Sequence, residues 1–172
     1  DEKRIYKLIS LMKPIVKNVE KPKWWGNNRS EFEIKIAKKY NSKDIFYEWN
    51  SNKLGELITL IPNKIYEHFK IDKDTAFVCV NKLTPGMFSS PHIDRHNNYK
   101  ANLQTKKKVK RVWISLSEPA LGHAFFLDKK NVLYNIPKGT AFLWNGKTLH
   151  SGVNAGVVDR YYITVDGVGN GK

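Results

Sequence analysis

Ser90-Pro91-His92-Ile93-Asp94 sets a histidine and a carboxylate two residues apart, and Leu149-His150-Ser151-Gly152-Val153-Asn154 supplies a second histidine fifty-eight residues after the first. On an extended segment, residues i and i+2 point to the same side. His92 and Asp94 can therefore chelate one ion from one strand end while Ile93 turns to the opposite wall. Two imidazoles and one carboxylate cap one face of an octahedral ion and leave the opposite positions open. A His-x-Asp pair alone arises often by chance, and His150 at the head of a later strand is what gives it weight. Arg160 lies ten residues beyond His150, where a second strand can return a fixed cation to the open side of that ion.

The chain around these segments reads as short strands. Ala76–Leu83, Arg111–Leu116, His123–Leu127, Val132–Ile136, Thr140–Trp144, Leu149–Val153 and Arg160–Val165 are apolar or alternating runs. They are separated by Pro85-Gly86, Glu118-Pro119, Asp128–Asn131, Pro137-Lys138-Gly139, Asn145-Gly146 and Asn154-Ala155-Gly156. Before them, Leu54, Leu57, Ile58, Ile61, Ile65 and Phe69 recur at helical intervals, with Pro62 placed to start a second helix or kink the first. The spacing of Ile5, Leu8, Ile9, Met12 and Val16 fits a short helix or an edge strand, with Pro14 interrupting it. Ser30–Ile36 satisfies both a capping box and strand alternation, and the strand is preferred. The fold expected is mainly β with flanking N-terminal helices, a jelly roll. It is read as one domain over 1–172, with a helical support region (1–74) and a β core (75–172).

Composition bounds the rest. At 172 residues and 41% hydrophobic, the chain can bury a core of its own. No apolar run approaches the roughly 20 residues of a membrane span, and no secretory apolar stretch is seen near the N-terminus, so a cytoplasmic location is expected. Cys79 is the single cysteine, excludes an internal disulfide, and reads as a buried structural thiol. The net charge of +14 raises nucleic acid as a partner. However, lysine outnumbers arginine 25 to 5, and a phosphate- or base-reading surface would more often recruit arginine. The run from Lys100 to Arg111 reads as a mobile loop between strands.

Three other histidines compete as ligands. His68 falls on the helix and His123 begins a strand. His96 is the serious rival, because Asp94 precedes it by two as it follows His92 by two. Pro91 favours an extended entry into His92, and Asn97-Asn98 favour leaving His96 in a polar loop outside the ligand set. Trp24-Trp25 sit in a Pro, Gly and Asn loop, as a plug at one end of the core or as part of a substrate lid. Phe125, Phe126, Phe142 and Trp144 read as barrel core.

The segments Thr84-Pro85-Gly86, Pro91–Asp94, Arg111–Leu116, Lys138–Phe142, His150, Arg160 and Val165-Asp166, taken together, resemble the double-stranded β-helix of the Fe(II)/2-oxoglutarate-dependent dioxygenases. Within that superfamily they are most similar to the aspartyl/asparaginyl β-hydroxylase branch. The resemblance covers the chain from about Thr75 onward. It implies Fe(II) on His92, Asp94 and His150, with 2-oxoglutarate as cosubstrate and O2 as oxidant, and ascorbate as a possible stimulant. It places Arg160 against the far carboxylate of 2-oxoglutarate and Arg111 as a second basic contact. Tyr162, Trp113 and Asn81 fall around the same cosubstrate, and His96, Trp24 and Trp25 on the substrate side. Asp94 departs from the animal protein hydroxylase of that branch, which lacks the metal carboxylate. Trp113 stands where that enzyme has a histidine.

Such a site hydroxylates a C–H bond and converts 2-oxoglutarate to succinate. By resemblance the substrate is a protein or peptide side chain, then an amino-acid-like small molecule, then a nucleobase. The rival readings are a cupin-type metal hydrolase or isomerase on the same ligands, and a non-catalytic basic module that binds nucleic acid.

Overall fold

The computed structural model describes residues 3, 4 and 7, 14–18, 43–47, and 57–170 apart from 90, 129 and 145. Eight strands carry the architecture: β3 (Phe77–Leu83), β4 (Met87–Phe88), β5 (Val109–Ser115), β6 (His123–Leu127), β7 (Asn131–Tyr134), β8 (Ala141–Leu143), β9 (His150–Asn154) and β10 (Arg160–Val168). The pairs β3/β10, β4/β9, β5/β8 and β6/β7 are antiparallel and nest one inside the next, as in a long hairpin folded at its middle. Two further pairings, β10 with β5 and β9 with β6, roll that hairpin into two facing sheets. This is the connectivity of a jelly roll, so the expected mainly-β, double-stranded β-helix (cupin) fold is the observed one.

The larger sheet runs β1 (Pro14–Asn18), β2 (Lys43–Tyr47), β3, β10, β5, β8 and the smaller β4, β9, β6, β7. β1 and β2 extend the larger sheet beyond β3, so the N-terminal region adds strands as well as helices. Residues 3, 4 and 7 are helical, and Pro14 opens an edge strand, where its missing N–H costs no ladder bond. Trp24, Trp25 and the Ser30–Ile36 strand expectation lie outside the described residues.

Strand alternation gives the larger sheet two different faces. Val78, Val80, Val112, Ile114, Ile163 and Val165 point outward and pack with Leu57, Leu60, Ile61, Tyr66 and Ile71 into the apolar core. The helical residues 57–60 and α1 (Asn63–Phe69) supply that cover, broken at Pro62 as the sequence predicts. Lys110 locks the layer in place, its Nζ donating to the Phe69 and Lys70 carbonyls at the end of α1. The inner face carries Asn81, Arg111, Trp113, Ser115, Arg160, Tyr162, Thr164 and Asp166, in register across β3, β10 and β5. The apolar core and the polar inner surface are thus opposite sides of the same strands.

Three expectations are corrected here. The Lys100–Arg111 stretch is not simply a loop: α2 (Asn97–Asn102) takes in Lys100, and β5 begins at Val109. Phe126 is 39% exposed, because His123, Phe125 and Leu127 take the inward positions of β6 and leave it on the outer surface. Cys79 is half-buried on the inner face rather than in the apolar layer.

Substituting Ile163→Ala in the layer under α1 removes a side chain that is 1% exposed and should cost about 2–5 kcal/mol of unfolding free energy. Val132→Thr on the exposed face of the smaller sheet should stay within about 0.5 kcal/mol. Urea denaturation of both variants checks the assignment of the two faces.

Candidate metal centre

The two histidines meet through their backbones. His92 and His150 form an isolated antiparallel bridge in which each N–H donates to the other's carbonyl at 2.9 Å. Directly opposed residues project their side chains to the same face, and the two imidazole centroids stand 4.2 Å apart. This pairing needs a register shift. Between Phe88↔Val153 and His92↔His150 one strand advances from 88 to 92 while β9 moves back only from 153 to 150, which is one extra residue and hence a bulge. Pro91, which has no N–H to offer β9, sits in the bulged segment. Ser89 anchors its near side: its N–H donates to the Gly152 carbonyl, its hydroxyl accepts from Gly152 N–H at 2.7 Å, and its carbonyl accepts from the Ser151 hydroxyl at 2.6 Å.

Asp94 completes the set. One ligand atom from each of His92, Asp94 and His150 lies within 4.8 Å of the others, and these three are the only such group among the described residues. Asp94 Oδ2 is 3.3 Å from His150 Nε2, and Oδ1 is 3.7 Å from His92 Nε2. The donor set fits a divalent ion. Asp94 is 5% exposed, yet its Oδ2 is buried without a hydrogen-bond partner, a costly state for a carboxylate oxygen unless a cation takes it. His150 Nδ1 lies 3.0 Å from the Thr148 carbonyl, which fixes the tautomer with Nε2 as the lone-pair donor. Burial, then the neighbouring His92, pushes the His150 pKa down to about 3, so its ring is neutral and able to ligate. Burial alone would raise the Asp94 carboxyl, but Arg111, His150, His92 and His96 together hold it below its ordinary value.

An aromatic wall surrounds the triad. Phe125 stacks on His150 with centroids 5.8 Å apart, Trp144 lies 4.5 Å from the same ring, and Phe142 and Trp113 continue the cluster. Trp113 in turn stacks on Tyr162 at 5.4 Å and carries the Arg160 guanidinium 5.3 Å from its ring centroid. Arg160 is 3% exposed, points inward, and donates through Nη1 to the carbonyls of Ala124 and Val153. Burial pushes its pKa down to about 10. Among the described residues no carboxylate forms an ion pair with it, and Trp113 Nε1 is likewise buried without an acceptor. Asn81 is buried opposite Tyr162 on the adjoining strand, with its Nδ2 3.5 Å from Thr164 Oγ1.

Two sequence expectations change. Arg111, expected as a second basic contact to the cosubstrate, has its fork engaged within the chain: Nε and Nη2 donate to Asp166 at 2.6 Å each, and Nη1 donates to Asp94 Oδ1 at 2.5 Å. The register that sets Asp166 directly opposite Arg111 is the reason. His96 is outside the ligand group, as expected, but not in an open polar loop. It caps α2 in the left-handed region (φ 53°), and its side chain, only 6% exposed, brings Nδ1 to 3.8 Å from Asp166 Oδ2. Asp166 and Thr148 are the participants that sequence reasoning missed. Asp166 stood in the quoted motif without a role, and the Thr148 contact comes through a backbone carbonyl that no side-chain pattern reveals.

No protein-family model matches the chain, and no curated protein matches it. Among solved structures, a double-stranded β-helix protein from Klebsiella pneumoniae aligns with 56% of this chain and 70% of its own at 16% identity and a TM-score of 0.41. A predicted oxalate decarboxylase from Thermotoga maritima aligns with 74% of this chain and 82% of its own at 15% identity and a TM-score of 0.43. A cupin-superfamily sugar phosphate isomerase from Silicibacter pomeroyi aligns with 54% of this chain and 50% of its own at 14% identity and a TM-score of 0.39. The fold assignment rests on the strand connectivity, which defines a cupin-type barrel carrying a two-histidine, one-aspartate metal-ligand set. No helix among the described residues is long and apolar enough to cross a membrane.

Titration with Co(II) should give one bound ion per chain. At a hundredfold excess over Kd it should stabilise the fold by about 2.7 kcal/mol. Asp94→Ala and His150→Ala should each remove both the binding and the stabilisation, as read by calorimetry and thermal melting.

Proposed function

We propose that this chain is an Fe(II)- and 2-oxoglutarate-dependent oxygenase that hydroxylates a C–H bond of a protein or peptide side chain or of an amino-acid-like small molecule. The observation that carries the proposal is the pairing of two incomplete groups on one inner surface. One is a largely buried triad with an orphaned carboxylate oxygen, and the other is a buried guanidinium whose hydrogen-bond partners among the described residues are backbone carbonyls. A keto diacid is complementary to both, because one end chelates a metal and the other is a carboxylate that suits a guanidinium.

Iron(II) held by His92, Asp94 and His150 would supply the activation of O2, coupled to oxidative decarboxylation of 2-oxoglutarate to succinate and CO2. The chain's own residues do the rest. Asp94 and the two imidazoles occupy one face and leave the other to ligands. Arg160 orients the distal carboxylate in a charge-assisted fork, and the Trp113 N–H adds a further donor. Tyr162, stacked on Trp113, fixes the indole plane. Phe125, Phe142 and Trp144 exclude water beside His150, which protects a reactive centre and strengthens the ionic contact at Arg160. Exposed Lys106, Lys107 and Lys108 before β5 keep a nucleic-acid substrate within the reading, in third place.

The ligand set itself favours one second reading. Two histidines and an aspartate also suit zinc or manganese, and Arg160 would hold the carboxylate of a hydrolase or isomerase substrate equally well.

The test is conversion of 2-oxoglutarate to succinate by the Fe(II)-loaded protein, with ascorbate present. Turnover is expected in the wild type and absent in His92→Ala. Arg160→Met removes one partner of a buried charge contact, an effect of about 2–5 kcal/mol. It should therefore raise the KM for 2-oxoglutarate by roughly 30-fold or more while Co(II) affinity is retained. Metal binding without succinate formation, and with no effect of 2-oxoglutarate on the bound metal's spectrum, would transfer the site to the second reading.

A further inference from the structure

We propose that Arg111 and Asp166 act as a positioning clamp on the metal carboxylate. The clamp confines Asp94 to one-oxygen coordination through Oδ2, and Asp166 neutralises the guanidinium that does the confining. The inference rests on the metal reading of His92, Asp94 and His150.

The geometry is specific. Arg111 Nη1 donates to Asp94 Oδ1 at 2.5 Å, so that oxygen is already engaged. The other oxygen, Oδ2, is the one that lacks a partner and stands 3.3 Å from His150 Nε2. A carboxylate with one oxygen held by a guanidinium has a single oxygen left to present to an ion, and its plane is fixed by the bond it has already made. A chelating carboxylate would occupy two of the ion's positions, whereas a one-oxygen ligand leaves three positions beyond the triad.

Placing Arg111 there carries an electrostatic cost, because a guanidinium within hydrogen-bond reach of a metal ligand repels the metal. Asp166 offsets it. Its two oxygens accept from Nε and Nη2 at 2.6 Å each, a fork-to-fork pair, and its side chain is 5% exposed. Asp166 faces Arg111 because β10 and β5 pair in that register, one position beyond Val165↔Val112 in the apolar layer. His96, with Nδ1 3.8 Å from Asp166 Oδ2, closes the remaining side of that carboxylate. Arg111 is held firmly in its charged state by Asp166 and Asp94 in spite of its burial. The protein thus buries Asp94 and Asp166 around one Arg111, leaving one negative charge among the three for the metal.

The test compares wild type, Asp166→Asn and the double variant Arg111→Gln/Asp166→Asn, with Co(II) as the probe. Affinity is read by calorimetry, coordination by the visible absorption of the bound ion, and folding by circular dichroism. Asp166→Asn leaves Arg111 uncompensated and should bind Co(II) about 10–100-fold more weakly, the range usual for a partner of a metal ligand. The double variant removes the uncompensated charge and should recover most of that loss. Its Co(II) spectrum should differ from wild type, because Asp94 Oδ1 is then released to the ion. A merely structural role predicts the opposite order, with the double variant no better than the single one. If Asp166→Asn fails to fold, the double variant alone decides: wild-type affinity with a wild-type spectrum overturns the clamp. Wild type that binds no Co(II) overturns the metal reading and the clamp with it. Wild type that binds while Asp166→Asn binds equally well overturns the clamp only.

Discussion

Two backbone hydrogen bonds between His92 and His150 hold the candidate site together. They join residues far apart in the chain, and they do so after a one-residue bulge at the proline-containing segment has shifted the register. Because strand side chains alternate, an unshifted register would set a different residue opposite His150 and turn His92 to the other face. The ligand geometry is therefore a consequence of main-chain pairing. The side chains inherit it, and the Ser89 contacts to Ser151 and Gly152 keep the bulge from slipping.

The larger sheet separates two demands that conflict in a small protein. Its outer face is packed largely by aliphatic side chains against residues 57–60 and α1, which supplies stability through apolar burial. Its inner face is then able to hold Arg111, Asp166 and Arg160 in low-dielectric surroundings, where each charge has a defined consequence. Arg111 is committed to carboxylates of the chain, whereas Arg160 donates to main-chain carbonyls, lies over the Trp113 ring and has no carboxylate partner among the described residues. The two arginines on adjacent strands of one sheet thus differ in that Arg111 finds its counter-charge within the fold. In the proposed function Arg160 takes its anion from outside the fold.

Much of this was legible in the sequence. The β runs and their turn residues marked all but the shortest of the eight barrel strands, and His92, Asp94 and His150 were identifiable because a period of two and a later strand-head histidine are local signals. Phe126 was misjudged because an apolar residue between two others in a strand looks like core until the inward set is known. The partners of Arg111 were invisible for a different reason, since the pairing with Asp166 depends on the β5/β10 register, which no local pattern encodes. The helix Asn97–Asn102 was masked by its asparagines, which favour turns when read alone, and by a left-handed His96 at its start. Strand β2 drew no expectation from the sequence, and β1 ends a stretch that fits a short helix as well as an edge strand.

In the proposed function one inner surface receives a metal at one end and a dicarboxylate at the other. A crystal structure of the protein grown without oxygen, with Mn(II) and 2-oxoglutarate, tests it most directly. The expected result is a single ion bonded to His92 Nε2, Asp94 Oδ2 and His150 Nε2, with the keto acid completing its coordination and its far carboxylate paired with Arg160. An ion bound elsewhere, or a keto acid that leaves Arg160 with its carbonyl contacts alone, would contradict it.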